Sequence, residues 1–218
     1  MTPPPTPRSA RRGVLLTGPP DRAYQATLFD FDGTLADTGE LNLAAIRHAL
    51  AAHGITVTAE WLRTTNLADL TQLRHALHQH CGQRLTCSDA WFIDTARTYW
   101  SRHSDSVRAI PHVTAIARRA TATGPVAIVS ANDGGIVRAG LTAIGLHALT
   151  TVLIAREHVR RIKPAPDAYL VAAARLGVPA AACLAYENTD EGVTAARAAG
   201  IDVVDIRAPL EPASKADR

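Results

Sequence analysis

The second half of the chain alternates short apolar runs with longer amphipathic stretches. The apolar runs predict buried strands at 126–129, 151–154, 183–186 and 202–205. The amphipathic stretches predict helices at 111–121, 136–144, 166–177 and 191–199. This alternation indicates a parallel sheet with helices on both faces, in which ligands bind at the carboxyl ends of the strands.

The first half contains one apolar run and then a long helical region. Residues 26–29 predict a further buried strand, which ends in two aspartates. Residues 40–108 show no convincing strand, and their apolar faces predict helices at 41–50, 67–80 and 89–103. The fold class we predict is therefore α/β, a Rossmann-like parallel sheet with an inserted helical segment.

The two aspartates after the first strand are the leading candidates for chemistry. Asp30 and Asp32 point to the same side if the strand geometry continues through them. An isolated pair of this kind is often only a solvated junction between a strand and a loop. If the pair is buried, its charge requires a cation, a proton or water, and a hard divalent cation such as Mg²⁺ meets that requirement.

The string Asp-Phe-Asp-Gly-Thr-Leu-x-Asp-Thr at 30–38 resembles the first motif of the haloacid dehalogenase-like hydrolase superfamily. The resemblance implies that Asp30 is the nucleophile that attacks phosphorus and that Asp32 is the general acid and base. It also implies phosphoryl chemistry, because the dehalogenases proper usually lack an acid at the position of Asp32. The closest resemblance is to the sugar-phosphatase and β-phosphoglucomutase-like branch.

Two further motifs of this superfamily follow in the expected order. Ser130 ends a predicted strand shortly before a helix, where a hydroxyl and free backbone N–H groups can bind phosphate, although an ordinary helix-capping serine also fits. Lys163 opens the string Lys-Pro-x-Pro-Asp-x-Tyr, which resembles the third motif, whereas a lone lysine is usually a solvated surface residue. By the resemblance, Ser130, Asn132 and Lys163 bind the phosphate.

The fourth motif departs from the pattern of the branch. That pattern is Glu-Asp-Ser-x-x-Gly with the aspartate bound to Mg²⁺, but this chain has Asn188 after Glu187. An amide oxygen can still bind a hard cation, without contributing negative charge. We predict a Mg²⁺ site formed by Asp30, Asp32, Glu187 and Asn188, while Asp190 or Glu191 stays open as a compensating ligand.

Composition and the resemblance together give a domain organisation. Residues 1–23 are rich in proline and arginine and predict a flexible tail, and 209–218 predict a second tail. The core domain is expected at 24–38 and 109–208. Residues 39–108 correspond to the helical cap domain that in the superfamily covers the aspartates and helps to choose the substrate.

Charge and cysteine content limit the possible partners. A net charge of +3 is too small to indicate nucleic-acid binding, and no apolar run approaches the roughly 20 residues that span a bilayer. The three cysteines form no metal-like pair and suit a reducing cytoplasm. His75, His78, His80 and Cys81 fit a solvated helix face better than a second metal site. We expect a monomer or a weak homodimer whose partner is a small phosphorylated metabolite.

The sequence thus predicts a Mg²⁺-dependent phosphatase that hydrolyses a sugar or polyol phosphate through an aspartyl-phosphate. One alternative is a phosphomutase of the β-phosphoglucomutase type, which Thr65–Leu70 disfavours because this stretch lacks the glycine and basic residue of that enzyme's substrate loop. Another is a non-catalytic relative that binds a phosphorylated ligand, which only Asn188 supports.

Overall fold

The computed structural model of the chain describes residues 12–16, 20, 22–65, 70–149 and 152–208. These residues form the strands β1 (Leu15–Leu16), β2 (Ala26–Phe29), β3 (Ala36–Asp37), β4 (Arg108–Ala109), β5 (Val126–Val129), β6 (Val152–Ile154), β7 (Cys183–Glu187) and β8 (Asp202–Asp205). Their helices are α1 (Gly39–Ala52), α2 (Ala59–Arg63), α3 (Leu70–Cys81), α4 (Asp89–Arg102), α5 (Pro111–Ala120), α6 (Gly134–Ala143), α7 (Asp167–Leu176) and α8 (Asp190–Ala198).

The main sheet has six parallel strands in the order β1-β8-β7-β2-β5-β6. Every residue of β5 and β7 is buried, as expected for strands that helices cover on both faces. Two hydrophobic clusters reflect these two faces, one containing Phe29 and Ile128 and the other Leu28 and Ala127. The predicted Rossmann-like parallel sheet is confirmed.

Strand order brings the predicted site residues together. β2 lies between β7 and β5, with Phe29 paired in register to Tyr186 on one side and Ile128 on the other. The carboxyl ends of these three strands therefore meet at one edge of the sheet. Asp30 and Ser130 directly follow β2 and β5, and Glu187 is the last residue of β7.

The N-terminal segment differs from the predicted flexible tail. Leu15 and Leu16 form β1, which extends the sheet by pairing in parallel with Val203 and Val204 of β8. The N–H of Gly13 donates to the carbonyl of Arg197, which ties the segment to the end of α8. The prediction of a tail at 1–23 is therefore wrong for residues 12–16, because an apolar Val-Leu-Leu run completes an open sheet edge. Residues 1–11 and 209–218 lie outside the described residues.

A small two-stranded antiparallel sheet lies where the chain leaves and re-enters the region of the main sheet. Ala36 and Asp37 of β3 pair antiparallel with Ala109 and Arg108 of β4. The absence of strand predicted through residue 108 is therefore wrong at Arg108, since a two-residue strand has no detectable period of its own. This small sheet pairs the segment that precedes helices α1–α4 with the segment that follows them.

Helices α1–α4, which we call the helical segment, enclose a hydrophobic cluster of their own, with the side chains of Leu50, Leu62, Leu77 and Phe92 at its centre. Helix α2 was not predicted, and its start is fixed by the hydroxyl of Thr58, which accepts from the N–H of Trp61. Residues 67–69 of the helix predicted at 67–80 lie outside the described residues. Within the described ranges, no helix has the length and apolar character needed to cross a membrane.

Candidate active site

A buried lysine joins two carboxylates at the edge of the sheet. Lys163 Nζ donates to Asp30 Oδ1 at 2.6 Å, to Glu187 Oε1 at 2.5 Å and to the carbonyl of Val129 at 2.9 Å. All three ammonium hydrogens therefore have protein acceptors. Burial lowers the pKa of Lys163, but the two carboxylates outweigh it and raise this pKa above its ordinary value. Lys163 thus remains a cation between Asp30 and Glu187.

One carboxylate oxygen of Asp30 has no hydrogen-bond partner among the described residues. Its Oδ2 is buried and accepts no hydrogen bond from the described residues. Burial raises the pKa of Asp30 to about 7 against the opposing effect of Lys163, and the charges of Glu187 and Asp32 add to the rise. A carboxylate in this condition is an unfavourable anion without further positive charge. It is therefore suited to a bound cation.

Glu187 is held by donors on both oxygens. Oε1 accepts from the hydroxyl of Tyr169 at 2.6 Å in addition to Lys163, and Oε2 accepts from the N–H of Asn188 and the hydroxyl of Thr189. A Cβ at Gly192 would lie 2.0 Å from the Glu187 carboxyl carbon, so the helix start requires glycine there. The predicted metal ligand Glu187 is thus surrounded by hydrogen-bond donors.

The carboxylate of Asp32 accepts hydrogen bonds from four side chains. Oδ1 accepts from Thr38 Oγ1 at 2.7 Å, from Asn42 Nδ2 at 3.0 Å and from Asn132 Nδ2 at 3.4 Å. Oδ2 accepts from Ser130 Oγ at 3.1 Å. Ser130 and Asn132, which the sequence assigns to phosphate binding, therefore lie beside Asp32.

Asn188 lies over the turn that follows Asp32. Its Oδ1 accepts from the hydroxyl of Thr34 at 3.3 Å, and its Nδ2 would lie 2.2 Å from a Cβ at Gly33. Gly33 also has a φ of +76°, so both the backbone and the close approach of Asn188 require glycine. The fourth motif and the first motif thus lie in contact.

The oxygen atoms of Asp30 and Asn188 suit a hard cation such as Mg²⁺, which usually takes only one or two ligands from protein side chains. Asp30 Oδ2 is buried and has no hydrogen-bond donor among the described residues, and Asn188 Oδ1, which accepts from Thr34, is an amide oxygen of the kind that binds hard cations. In the described ranges, no group of three or more histidine, cysteine, aspartate or glutamate side chains is placed to hold a metal ion.

The start of α6 differs from the predicted phosphate seat. Asp133 caps the helix by accepting from the N–H groups of Gly135 and Ile136. Glu157 accepts from the N–H of Gly134 with both oxygens at 3.2 Å. These N–H groups are therefore bonded to carboxylates, and two acids at this end oppose a phosphate there. Of the groups predicted to bind phosphate in this region, the hydroxyl of Ser130 and the amide of Asn132 remain.

A cavity of about 760 Å³ lies between the helical segment and the site. Its walls are mainly apolar, with Leu43, Ile46, Leu62, Phe92 and Trp100 facing Asp32 and Asn132 across the space. Arg63 and Arg156 also line it, and Arg63 pairs with Glu40 at 2.7 Å. Sequence reasoning missed both arginines, because it looked for a basic residue only in Thr65–Leu70.

Other contributors were present in the sequence without an assigned role. Thr38 ends the first motif, Asn42 lies one helical turn later, and Tyr169 ends the third motif. Trp100 lies within the helix predicted at 89–103. By contrast, the histidines at 75, 78 and 80 are exposed on α3, away from the strand ends.

Comparisons with known proteins agree with this geometry. Residues 27–206 match the family described as haloacid dehalogenase-like hydrolase. Fructose-1-phosphate phosphatase YqaB of Escherichia coli (strain K12) is 30% identical over 184 residues, which cover 84% of this chain and 97% of that protein. Hexitol phosphatase A of the same organism is 30% identical over 189 residues, which cover 84% and 83%. The structure of CbbY from Rhodobacter sphaeroides in complex with phosphate is similar at a TM-score of 0.74 and 26% identity, covering 89% of this chain and 92% of that one. The chain belongs to the haloacid dehalogenase-like hydrolases.

Proposed function

We propose that this chain, a phosphoric monoester hydrolase, releases phosphate from a small sugar or polyol phosphate in a Mg²⁺-dependent reaction. The observation that carries the proposal is the pair of carboxylates with different surroundings at the end of β2. Asp30 is buried beside a cation and keeps one free oxygen, whereas Asp32 is held by neutral donors. Two carboxylates in different environments suit different steps of one reaction.

In the first step, Asp30 attacks phosphorus and the bond from phosphorus to the ester oxygen breaks. Asp32, entering this step protonated, gives its proton to the leaving oxygen, so that an alcohol departs and a phosphate ester of Asp30 remains. In the second step, Asp32 removes a proton from water, which attacks phosphorus and frees the carboxylate of Asp30. The products are the alcohol and inorganic phosphate.

The remaining residues stabilise charge in these steps. Lys163 directs all its hydrogens to protein acceptors, so its contribution is the positive charge beside Asp30. The hydroxyl of Ser130 and the amide of Asn132 can donate to phosphoryl oxygens next to Asp32. Glu187 holds Lys163 in place and orients the backbone of Asn188.

We assign the Mg²⁺ site to Asp30 and Asn188 with the backbone turn around Asp32, rather than to Glu187. The free Oδ2 of Asp30 supports this assignment, and the donors around both oxygens of Glu187 argue against a metal contact there. When bound, Mg²⁺ neutralises charge on the phosphoryl group. The neutral ligand Asn188 implies weaker binding than an aspartate at that position would give.

The helical segment is proposed to act as the cap that covers the substrate. The cavity between it and Asp32 is large enough for a sugar phosphate, and the relatives include a fructose-1-phosphate phosphatase and a hexitol phosphatase. The prediction of a small phosphorylated metabolite as partner rests on these two observations. The cytoplasmic location and the oligomeric state stay predictions.

The test is phosphate release from sugar, polyol, nucleotide and amino-sugar phosphates, with and without Mg²⁺. We expect Asp30→Asn to abolish release and Asp32→Asn to lower it about 10²–10⁴-fold. Asp37→Asn, an exposed aspartate of the same motif, is the matched control and should keep wild-type activity. With p-nitrophenyl phosphate, acid quenching of Asp32→Asn should trap phosphate on Asp30, located by mass spectrometry. An Asp30→Asn protein with wild-type turnover would refute the assignment.

The phosphomutase alternative gains one observation from the structure. Arg63 lines the cavity and is a basic residue of the kind that Thr65–Leu70 lacks; it would serve a second anionic group of a substrate on leaving its ion pair with Glu40. Conversion of a hexose 1-phosphate to its isomer without net phosphate release would favour this alternative. Stabilisation by a phosphate ester with no turnover would instead favour a non-catalytic relative.

A further inference from the structure

A hydrogen-bonded chain of side chains links helix α4 to the carboxylate of Asp32. The indole N–H of Trp100 donates to Asn42 Oδ1 at 2.8 Å, and Asn42 Nδ2 donates to Asp32 Oδ1 at 3.0 Å. Trp100 is fully buried and lies 58 residues along the chain from Asn42. The link therefore connects the helical segment to the edge of the sheet through α1.

Trp100 determines which way the amide of Asn42 faces. A side-chain amide has two orientations that exchange its oxygen and its nitrogen. An indole N–H can only donate, so Trp100 requires the amide oxygen on its side. The nitrogen then faces Asp32, whose ionised carboxylate can only accept. The reverse orientation would place donor against donor and acceptor against acceptor, and both hydrogen bonds would be lost.

The oriented amide makes the two oxygens of Asp32 unequal. Oδ1 accepts from Thr38 as well as from Asn42, with Asn132 at a longer distance. Among the described residues, Oδ2 accepts a single hydrogen bond, which comes from the hydroxyl of Ser130. A hydroxyl can change from donor to acceptor by rotating, so a proton on Oδ2 keeps a partner. A proton on Oδ1 would displace donors.

We propose that Trp100 is a positioning residue, which acts through Asn42 to hold Asp32 with Oδ2 as the atom that carries the proton. The inference rests on the proposed function, in which Asp32 protonates the departing alcohol as the bond to phosphorus breaks. Trp100 belongs to the helical segment and Asp32 to the sheet. The orientation of the proton donor Asp32 thus depends on a hydrogen bond made by Trp100 of the helical segment.

Two esters that differ in their need for this proton separate positioning from folding. The alkoxide of a sugar or polyol phosphate is strongly basic and leaves only with a proton, whereas p-nitrophenolate leaves without one. A misplaced Asp32 therefore lowers kcat/KM for the sugar or polyol ester and spares p-nitrophenyl phosphate. A defect in folding or in phosphoryl binding lowers kcat/KM for both.

The variants remove one member of the link at a time. Trp100→Phe keeps a buried ring without the N–H, and Asn42→Ala removes the amide. We expect each to lower kcat/KM about tenfold for the sugar or polyol phosphate that the wild type hydrolyses fastest, and less than about twofold for p-nitrophenyl phosphate. The two losses should not add in the double variant. Trp91→Phe, a half-exposed tryptophan on the same helix, is the matched control and should change neither value.

Equal losses with the two esters, or no loss in either variant, would overturn the inference. If Trp100→Phe lowers the thermal midpoint because the smaller ring leaves a cavity, Asn42→Ala decides, since alanine is a good helix former within α1. A wild-type protein that released phosphate from neither ester would refute the proposed function instead. An active wild type with unselective variants refutes only the part assigned to Trp100.

Discussion

Replacing Asp30 with asparagine should make the metal-free protein more stable at alkaline pH. Burial raises the pKa of Asp30 from 3.8 to about 7, even though Lys163 opposes the rise. Each pKa unit corresponds to about 1.4 kcal/mol, so keeping Asp30 ionised in the folded chain costs about 4 kcal/mol. Asparagine resembles the protonated acid in shape and charge and avoids this cost.

The sign of the pH dependence follows from the direction of the pKa change. Because the pKa of Asp30 is higher in the folded chain, its contribution to stability is complete below about pH 4 and is lost as the pH rises through about 7. Wild type and Asp30→Asn should therefore differ little in the free energy of unfolding at about pH 4. At about pH 8 the variant should be more stable by about 2–4 kcal/mol, the lower value applying if the new amide hydrogens remain unpaired.

Urea unfolding in the presence of a chelator, repeated at several pH values, measures this difference. Asp202→Asn is the matched control, because Asp202 is equally buried but accepts from the N–H of Val14, from Arg22 and from Tyr24. That variant should lose about 1–3 kcal/mol, since its donors lose a charged acceptor. Added Mg²⁺ should stabilise the wild type at alkaline pH and should have little effect on Asp30→Asn. An Asp30→Asn protein that is less stable than the wild type at alkaline pH, or a difference independent of pH, would refute this reasoning.

Two other substitutions test the neighbours of Asp30. Lys163→Met removes the cation that pairs with the buried carboxyl groups of Asp30 and Glu187. It should reduce the free energy of unfolding by about 3–5 kcal/mol at neutral pH, measured in urea, and wild-type stability would contradict the geometry. Asn188→Asp adds a negative ligand near Gly33 and should lower the Mg²⁺ concentration for half-maximal activity about tenfold. Activity titrated with Mg²⁺ measures this change, and an unchanged or higher requirement would remove Asn188 from the metal site.

The periodicity of the chain was sufficient to predict the sheet and most of its helices. The predicted strands at 126–129 and 202–205 have the observed bounds. For 126–129 the reason is a fully apolar run that is covered on both faces. β1 was missed because Leu15 and Leu16 are only two residues long and lie among prolines and arginines. Such a strand exists only through its pairing with β8, which no local pattern reveals.

The site shows the same limit at the level of side chains. The motifs located Asp30 and Ser130 at strand ends and Lys163 in the connection between β6 and α7, and the match of residues 27–206 confirms the family that they indicated. The motifs did not reveal that Glu187 accepts hydrogen bonds from Lys163 and Tyr169. Hydrogen-bond partners depend on which elements pack together, and that information is distributed over the whole chain.

The first motif is recognisable because its residues are locally unfavourable for folding. Asp30 carries a buried oxygen to which none of the described residues donates, and Gly33 is held in a conformation that few residues adopt. Thr38 precedes α1, but its side chain makes no capping hydrogen bond; its hydroxyl donates to Asp32 and accepts from the side-chain amide of Asn42. An unused cap costs about 1 kcal/mol in comparable helices. The side chain of Thr38 thus binds the carboxylate of Asp32 and leaves the backbone at the start of α1 without its cap. A chain selected for stability alone would have neither the aspartates nor this use of Thr38, so the local conflicts mark the site.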